Sequence, residues 1–379
     1  MAFFKNYSLK EYNSFGINTK SNSFFSFQNE EELILFFKKN DIDTTPFFIL
    51  GGGSNVLFKN PFPGLVLHSK IDEIQELKHE KDFIILRVGS GLEWDKFVEY
   101  CVNNSYYGIE NLSLIPGNVG AAPVQNIGAY GTEVEEVIVG VTAYDLKSKE
   151  KIYLSKEECC FSYRYSIFKK ESHKTLIITT VDFKLFKIAP HKRIIKSYKG
   201  HIVLKYAKHY KELFYDFFKA TKTLKISLKK RAVSVDYRLL KRLLENSGFL
   251  SLKKVRQTII NKRNSKIPNP KTIGNVGSFF KNPIIDINLS IKIKVAYPSA
   301  IIYPLNDTHV KISAGWLIKE AGWLNVKEEN VGLYKDQTLI IVNKGNATGD
   351  EIYNYSQRIV ESVFDEFGIE LKREVVVVI

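Results

Sequence analysis

Residues 116–131 read Pro116-Gly117-Asn118-Val119-Gly120-Ala121-Ala122-Pro123-Val124-Gln125-Asn126-Ile127-Gly128-Ala129-Tyr130-Gly131. Four glycines, three alanines and two prolines make a loop whose backbone can lie directly against a flat ligand. The side-chain amides of Gln125 and Asn126 add hydrogen-bond donors and acceptors for the edge of a heteroaromatic ring. Taken alone, however, this stretch is better explained as a structural loop between strands.

A second glycine-rich loop lies earlier in the chain, at Gly51-Gly52-Gly53-Ser54-Asn55. It connects two apolar runs, Pro46–Leu50 and Val56–Phe58, so we expect it to join one strand to another. This context excludes a dinucleotide fingerprint, which must open a helix, and a P-loop, which needs Gly-Lys-Ser/Thr. Its backbone N–H groups suit a pyrophosphate, although a tight turn is the commoner explanation of such a loop. Together, the two loops favour a dinucleotide cofactor lying between domains.

Length and charge limit the classes of protein. A chain of 379 residues is long enough for two or three domains. The formal net charge is +14, but Ile188–Val233 alone holds eleven lysines and two arginines against one glutamate and one aspartate. The remainder of the chain therefore carries only +3. We interpret the basic segment as a local surface excursion; electrostatic collection of anionic ligands is its functional alternative.

The cysteines and the hydropathy of the chain indicate the cellular compartment in which the protein is expected. Cys101, Cys159 and Cys160 do not have metal-ligand spacing, so we expect no metal site and interpret them as small apolar residues in a reducing compartment. The N-terminus has no basic segment followed by a sustained apolar run, and no apolar stretch reaches the about 20 residues that span a bilayer. The prediction is a cytoplasmic protein that does not enter membranes.

Local patterns predict a mixture of helices and strands. Asn29 and Glu32 form a capping-box pattern ahead of an apolar run, which predicts a helix start. Further helices are predicted from helical spacing of apolar residues: Trp94, Phe97, Val98, Cys101 and Val102; Ser251–Asn264; and Asp350–Phe367, with Ile352, Ile359, Val363 and Phe364 as its stripe and Gly368 as its C-cap. Strands are predicted at Ile84–Val88, Leu176–Val181 and Val375–Ile379, the last of a fully buried type.

Three residues outside the loops could carry chemistry. Arg164 lies where a strand is expected to end in a turn, so its guanidinium could bind a carboxylate; a surface ion pair is the plainer explanation. Ser278 follows Gly277 on tightly turned backbone, and no histidine is placed to activate it, which favours proton donation over nucleophilic attack. Glu374 begins the apolar terminal strand, where a carboxylate needs either a cation or a function.

These blocks together resemble the UDP-N-acetylenolpyruvoylglucosamine reductases, the MurB family. The resemblance covers nearly the whole chain except the basic segment, and rests on five blocks in the family order: Gly51–Asn55, Pro116–Gly131, Tyr163–Lys169, Gly277–Pro283 and Leu371–Val375. It implies an α+β protein with an FAD-binding fold of the vanillyl-alcohol oxidase type in two subdomains, followed by a smaller α+β substrate-binding domain. The expected boundaries are 1–70 and 71–266 for the subdomains, with the basic insertion at about 188–233, then 267–367 for the substrate-binding domain and 368–379 for a terminal strand returning to the FAD-binding part.

The resemblance also implies a reaction. NADPH would reduce FAD and leave, and the reduced flavin would pass a hydride to the enolpyruvyl double bond of UDP-N-acetylglucosamine enolpyruvate, a step of peptidoglycan synthesis. Arg164, Ser278 and Glu374 fall on the family's catalytic positions, with Ser278 as proton donor. FAD would be held by Gly51, Gly52, Gly53, Ser54 and Asn55 in the first loop and by Pro116, Gly117, Gly120, Gln125, Asn126, Gly128, Ala129, Tyr130 and Gly131 in the second.

Substrate contacts follow from the same resemblance. Lys266 and Asn282 match positions near the UDP diphosphate and the sugar. The family subtype with a mobile tyrosine loop places a tyrosine about 25 residues before the lysine block, which Tyr237 fits; Tyr206 is a rival. Two departures stand out: Arg238 follows Tyr237 where the family usually has glycine, and Arg373 precedes Glu374 where proline is frequent.

Two other functions are compatible with the sequence. The first is an FAD oxidase of the same fold acting on another substrate, against which the Gly277–Pro283 block argues. The second is a degenerate flavin fold that binds nucleic acid through the basic segment, although that segment lacks the pattern of a known nucleic-acid module. By resemblance we expect a monomer.

Overall fold

The computed structural model describes residues 2–40, 45–187, 251–335 and 337–379. The basic segment, Tyr206, Tyr237 and Arg238 lie outside the described residues. The described part of the chain divides into two compact units. The first contains residues within 1–26, 41–68 and 263–379, and the second contains residues within 27–40 and 69–262.

The described residues form short strands interspersed with helices. In chain order, the strands are β1 Ala2–Ser8, β2 Lys20–Phe27, β3 Phe47–Ile49, β4 Val56–Phe58, β5 Phe62–Ser69, β6 Ile74–His79, β7 Phe83–Gly89, β8 Gly128–Ala129, β9 Thr132–Glu133, β10 Ile138–Asp145, β11 Glu150–Ser155, β12 Leu176–Phe186, β13 Gly274–Asn275, β14 Ile284–Asp286, β15 Ile302–Pro304, β16 His309–Ile312, β17 Val331–Tyr334, β18 Gln337–Asn343 and β19 Val376–Val378. The α-helices are α1 Glu30–Lys39, α2 Trp94–Asn103, α3 Leu252–Lys266, α4 Ile287–Ala296, α5 Ala314–Glu320 and α6 Gly349–Phe367.

The first unit is built from small sheets covered by helices. One sheet has the order β1-β2-β5-β3, and two three-stranded sheets have the orders β13-β18-β17 and β14-β16-β15. The last strand, β19, pairs in parallel with β4, so the chain end returns to residues that directly follow the first glycine-rich loop. A continuous core holds Phe279, Trp316, Tyr355 and many aliphatic side chains. Burying each large apolar side chain stabilises the fold by about 1.5–3 kcal/mol.

Helix α6 follows the predicted pattern except at one residue. Thr348 and Glu351 form a complete capping box at its start, and Gly368 ends it with a φ of +64°. Ile352, Ile359 and Val363 are buried as predicted. Phe364 is 55% exposed, so its place in the buried stripe was wrong. Because it lies about 100° around the helix from Val363, it turns away from the core.

The terminal strand is also less buried than predicted. Only Val376–Val378 pair, and Val376 and Ile379 are 40% and 76% exposed. The prediction of a fully buried strand was therefore wrong. The strand pairs with β4 alone in a two-stranded sheet, and exposure falls along it from Val376 at its start to the buried Val378.

The second unit is centred on a five-stranded antiparallel sheet of order β11-β10-β12-β7-β6. Helix α2 buries all five predicted residues, Trp94, Phe97, Val98, Cys101 and Val102. Asn29 caps α1 by accepting a hydrogen bond from the Glu32 amide, as predicted. Arg256 of α3 forms a bidentate ion pair with Asp95 of α2, at 2.6 and 2.8 Å. This ion pair links α3, the helix that follows the basic segment, to α2.

The three cysteines differ in accessibility. Cys101 and Cys159 are buried, whereas Cys160 is exposed, so the prediction that all three fill apolar space was wrong for Cys160. Burial raises the pKa of the Cys101 thiol well above its ordinary value and raises that of Cys159 to about 12. Neither buried group forms the thiolate near neutral pH.

A thiol titration should therefore find one reactive cysteine in the native protein. Because the thiolate is the nucleophile, we expect one equivalent of a coloured disulfide reagent to react at pH 7.5 and three equivalents after unfolding. The Cys160→Ser variant should abolish the native signal without changing the unfolded signal by more than one equivalent. Native reaction of two or three equivalents would contradict the burial of Cys101 and Cys159.

The described ranges contain neither a candidate membrane span nor a candidate metal cluster. No helix there is long and apolar enough to cross a membrane. The same ranges hold no group of three or more His, Cys, Asp or Glu side chains that could bind a metal ion.

Candidate active site

The first glycine-rich loop connects β3 to β4, as predicted. The amides of Gly51, Gly52 and Gly53 donate to no acceptor within the described residues, whereas the Gly53 carbonyl accepts from the Ser14 amide at 3.0 Å. Three consecutive backbone donors without a protein acceptor in that part of the chain form a cradle suited to an anion.

Gly53 cannot be replaced without strain. Its φ is +62°, and a Cβ there would lie 1.9 Å from the Tyr12 carbonyl oxygen. The loop therefore packs backbone against backbone, which explains why glycine stands at this position.

Glu374 and the block around Ser278 lie next to this loop in the first unit. The Glu374 amide donates to the Phe279 carbonyl at 2.8 Å. The Glu374 carbonyl accepts from the Asn55 side chain at 3.1 Å, and the Val376 amide donates to the Asn55 carbonyl at 3.0 Å. Three of the five sequence blocks thus meet through hydrogen bonds in one unit.

Ser278 is presented on a turn anchored on both sides. Gly277 has a φ of +70°, and its amide donates to the Asn275 side chain at 2.9 Å. Phe279 and Phe280 follow and are almost fully buried, while Ser278 itself is exposed. The buried rings on one side and the hydrogen-bonded turn on the other hold the Ser278 hydroxyl at the surface of the unit.

Arg373, which stands where the family frequently has proline, turns toward α6. Its guanidinium donates to Ser356 at 2.9 Å and to Gln357 at 2.8 Å, and lies over the Tyr353 ring. Burial lowers the pKa of Arg373 from its ordinary value. These contacts show that the arginine serves the packing of the terminal segment against α6.

The second glycine-rich loop and the Tyr163–Lys169 block are joined in the second unit. Ser166, which is fully buried, donates to the Val124 carbonyl at 2.6 Å, and Asn126 donates to the Ser162 carbonyl at 3.1 Å. Arg164 donates to the Gly128 carbonyl at 2.8 Å. The two sequence blocks therefore form a single structural element, although about 40 positions separate them.

Arg164 lies within a tight turn rather than at the end of a strand. Its φ is +54°, and the Lys169 ammonium donates to its carbonyl at 3.2 Å. The guanidinium lies 3.7 Å from Glu133 and 5.2 Å from the Tyr163 ring centre, with 18% of the side chain exposed. The ion pair that was the plainer explanation of Arg164 in the sequence is present, with Glu133 as the partner. Carbonyls of the second loop orient the guanidinium.

Asn126 shapes the loop from inside. Its side chain is fully buried, donates to Glu133 at 3.1 Å as well as to Ser162, and accepts from the Glu135 amide at 3.1 Å. Its two amide hydrogens are thus used within the protein. Its predicted contact with a ring edge stays a prediction, and the arrangement supports a scaffolding role.

Backbone groups of the second loop are also available to a ligand. The Gly120 amide donates to the Ser90 carbonyl at 2.9 Å, which fixes the loop against the sheet. The Gly117 and Asn118 amides have no acceptor among the residues that the structure describes. Nearby, the buried Asn111 side chain donates to Thr132 at 3.2 Å, while its own oxygen has no hydrogen-bond partner among those residues.

The remaining predicted residues lie in several different surroundings. Gln125, Ala129 and Tyr130 are half-buried, and Tyr130 packs against Val255 and Ile259 of α3. Lys266 is exposed at the end of α3. The Asn282 side-chain oxygen accepts from the Ala314 amide, the first amide of α5, at 3.0 Å, while Ser313 is the N-cap of that helix.

Sequence reasoning missed Glu133 and Asn111. Glu133 stands two positions after Gly131 and looks like an ordinary turn acid, because only folding brings it beside Arg164. The one local signal is the pair Thr132-Glu133 closing the hairpin opposite Gly128 and Ala129.

Two family models match parts of this chain. Residues 23–149 match an FAD-binding domain family, and residues 269–378 match the C-terminal domain of UDP-N-acetylenolpyruvoylglucosamine reductase. The chain is 38% identical to a UDP-N-acetylenolpyruvoylglucosamine reductase of Flavobacterium johnsoniae, with 100% of each chain covered. It is 37% identical to one of Porphyromonas gingivalis, with 98% of each covered.

A solved structure has the same fold. UDP-N-acetylenolpyruvylglucosamine reductase from Thermus caldophilus aligns over 99% of this chain and 98% of its own, with a TM-score of 0.60 at 19% identity. The predicted α+β class, an FAD-binding domain of the vanillyl-alcohol oxidase type followed by a second α+β domain, is confirmed. The chain belongs to the UDP-N-acetylenolpyruvoylglucosamine reductase family.

Proposed function

We propose that this protein reduces UDP-N-acetylglucosamine enolpyruvate to UDP-N-acetylmuramate with NADPH and FAD, in the cytoplasm, for peptidoglycan synthesis. The observation that carries the proposal is that, within each unit, the sequence blocks typical of the family are joined to one another by hydrogen bonds. Arg164 is joined to the second loop, and the chain segments of Ser278 and Glu374 are joined to the first.

The residues present fit FAD. The Gly51, Gly52 and Gly53 amides, and separately the Gly117 and Asn118 amides, have no acceptor in the described parts of the chain. The Asn111 oxygen, likewise without a partner there, is a buried polar atom that a ligand donor could satisfy. Bound FAD would supply the redox chemistry, the relay of a hydride equivalent from NADPH to the enolpyruvyl double bond.

Arg164 stabilises the charge that develops on the substrate. Hydride addition at the terminal carbon of the enol ether moves negative charge to the neighbouring carbon and its carboxylate. A preoriented guanidinium facing that carboxylate lowers the barrier, and losing such a donor typically costs about 3–4 kcal/mol. Glu374 acts on the same group, either by hydrogen-bonding its oxygens or by polarising the enol.

Ser278 donates the proton that completes the reaction. Its hydroxyl is exposed on an anchored turn, and the O–H proton goes to the carbon that bears the carboxylate. The pKa of a serine hydroxyl matches this task poorly, so catalysis depends on its fixed position.

Substrate recognition uses residues that follow the basic segment. Lys266 contributes an exposed cation for the UDP diphosphate, and Asn282 an amide for the sugar. The enzyme is of the tyrosine-loop subtype, with Tyr237 as the closing tyrosine and Tyr206 as the rival. It acts as a monomer, with the domain boundaries predicted from the sequence.

The test is NADPH consumption by the purified protein, with and without UDP-N-acetylglucosamine enolpyruvate. A yellow protein that consumes NADPH in proportion to this substrate, and forms UDP-N-acetylmuramate, is the expected result. A colourless protein, or one whose NADPH consumption ignores the substrate, would contradict the proposal. Consumption of oxygen with another substrate would instead indicate an oxidase.

A further inference from the structure

We propose that Glu133 is a positioning residue that holds the Arg164 guanidinium in its productive orientation. The inference rests on the proposed function, because it assigns to Glu133 a role in the step that Arg164 serves. It adds to the predicted catalytic set a carboxylate that does not touch the substrate.

The contacts around Arg164 define one fixed orientation. Its NH2 group donates to the Gly128 carbonyl at 2.8 Å, and its NH1 group lies 3.5 Å from the Asn126 carbonyl and 3.7 Å from Glu133 Oε1. Carbonyls and a carboxylate thus constrain the plane of the guanidinium. Because a planar group held at two nitrogens cannot rotate freely, its remaining surface faces a defined direction.

Glu133 is itself held in place. Its second carboxylate oxygen, Oε2, accepts from the Asn126 side chain at 3.1 Å, and that asparagine is fully buried. Asn126 also bonds to the Ser162 carbonyl and the Glu135 amide, so it is tied to the turn that carries Arg164. The chain of contacts runs from the buried amide to the carboxylate and then to the guanidinium.

The opposite charges of Arg164 and Glu133 indicate how the arrangement affects the reaction. Arg164 has 18% and Glu133 29% of its side chain exposed, so the pair is partly shielded from water. A carboxylate at 3.7 Å reduces the cost of keeping the guanidinium there before substrate arrives. The substrate carboxylate is anionic before and during the reaction, whereas the charge on its neighbouring carbon develops only as the hydride is added, so a fixed orientation of Arg164 matters most in the transition state. Glu133 therefore acts mainly on the rate of the substrate step and little on substrate affinity.

The experiment compares Glu133→Gln and Glu133→Ala with Glu135→Gln as a matched control. Glutamine keeps an oxygen for the Asn126 amide but loses the charge, while alanine loses both. Glu135→Gln removes the same charge two positions away. The Glu135 side chain has no hydrogen bond or ion pair with the described residues, and only its backbone amide contributes to the loop.

Two half-reactions are measured separately by stopped-flow flavin absorbance: bleaching by NADPH, and return of colour with UDP-N-acetylglucosamine enolpyruvate. We expect Glu133→Gln to slow the return of colour about tenfold, the effect of losing about 1.4 kcal/mol. Glu133→Ala should slow it further. Bleaching by NADPH and the substrate concentration at half-saturation should change less than threefold. Glu135→Gln should match the wild type in both.

Two results would overturn the positioning role. In the first, Glu133→Gln and Glu135→Gln behave alike. In the second, Glu133→Gln loses FAD or slows both half-reactions equally, as a merely structural residue would. Failure of the proposed function has a different signature, since the wild-type protein itself would then not recover colour with this substrate.

Discussion

The Ser278→Ala variant should bleach with NADPH at the wild-type rate and should then regain its colour with substrate about a thousandfold more slowly. In the proposed mechanism the hydroxyl supplies only the proton of the second half-reaction, so its removal should leave the first half-reaction unchanged. The structure supports an effect confined to the hydroxyl. Phe279 and Phe280 are buried, and the Asn275 side chain accepts a hydrogen bond from the Gly277 amide. The turn should keep its shape without the hydroxyl.

A control for this variant is available in the same unit. Thr272→Ala removes an exposed hydroxyl that donates to the nearby Asn269 carbonyl, and both half-reactions should stay within twofold of the wild type. Stopped-flow absorbance and quantification of UDP-N-acetylmuramate give the rates. A Ser278→Ala protein that regains colour at the wild-type rate would exclude Ser278 as the proton donor.

The Gly53→Ala variant should lose at least about 3 kcal/mol of folding free energy and much of its FAD. An added Cβ would lie 1.9 Å from the carbonyl oxygen of Tyr12 and 2.6 Å from the carbonyl carbon of the same residue. Both are backbone atoms, which cannot move aside as the end of a flexible side chain could. The loop must move to relieve the clash, and its Gly51, Gly52 and Gly53 amides would move with it. Thermal melting and retained flavin absorbance after gel filtration measure the two effects.

Gly16→Ala separates the clash from the backbone conformation. Gly16 has a φ of +66°, close to the +62° of Gly53, but a Cβ there would meet nothing within 4 Å. It should therefore cost only about 1–2 kcal/mol, the penalty for a left-handed conformation in a residue with a side chain. Equal melting temperatures for the two variants would show that the close approach to Tyr12 is unimportant.

Some features of this protein follow from local sequence alone. The strand-loop-strand arrangement at Gly51–Asn55, the apolar face of α2 and the caps at Asn29 and Gly368 were all predicted correctly. Each depends on neighbours within a few residues, because helical spacing, capping and turn chemistry are short-range effects. The five sequence blocks also sufficed to indicate the family.

Other features were decided only by tertiary structure. Arg164 receives its orientation from carbonyls 36 and 38 positions away, and Glu133 joins it only once the hairpin closes. Asn126 turns inward, and Phe364 turns outward at the margin of the stripe. A sequence shows which groups can form a hydrogen bond or pack in a core. Which of them do so depends on distances between segments far apart in the chain, and those distances exist only after folding.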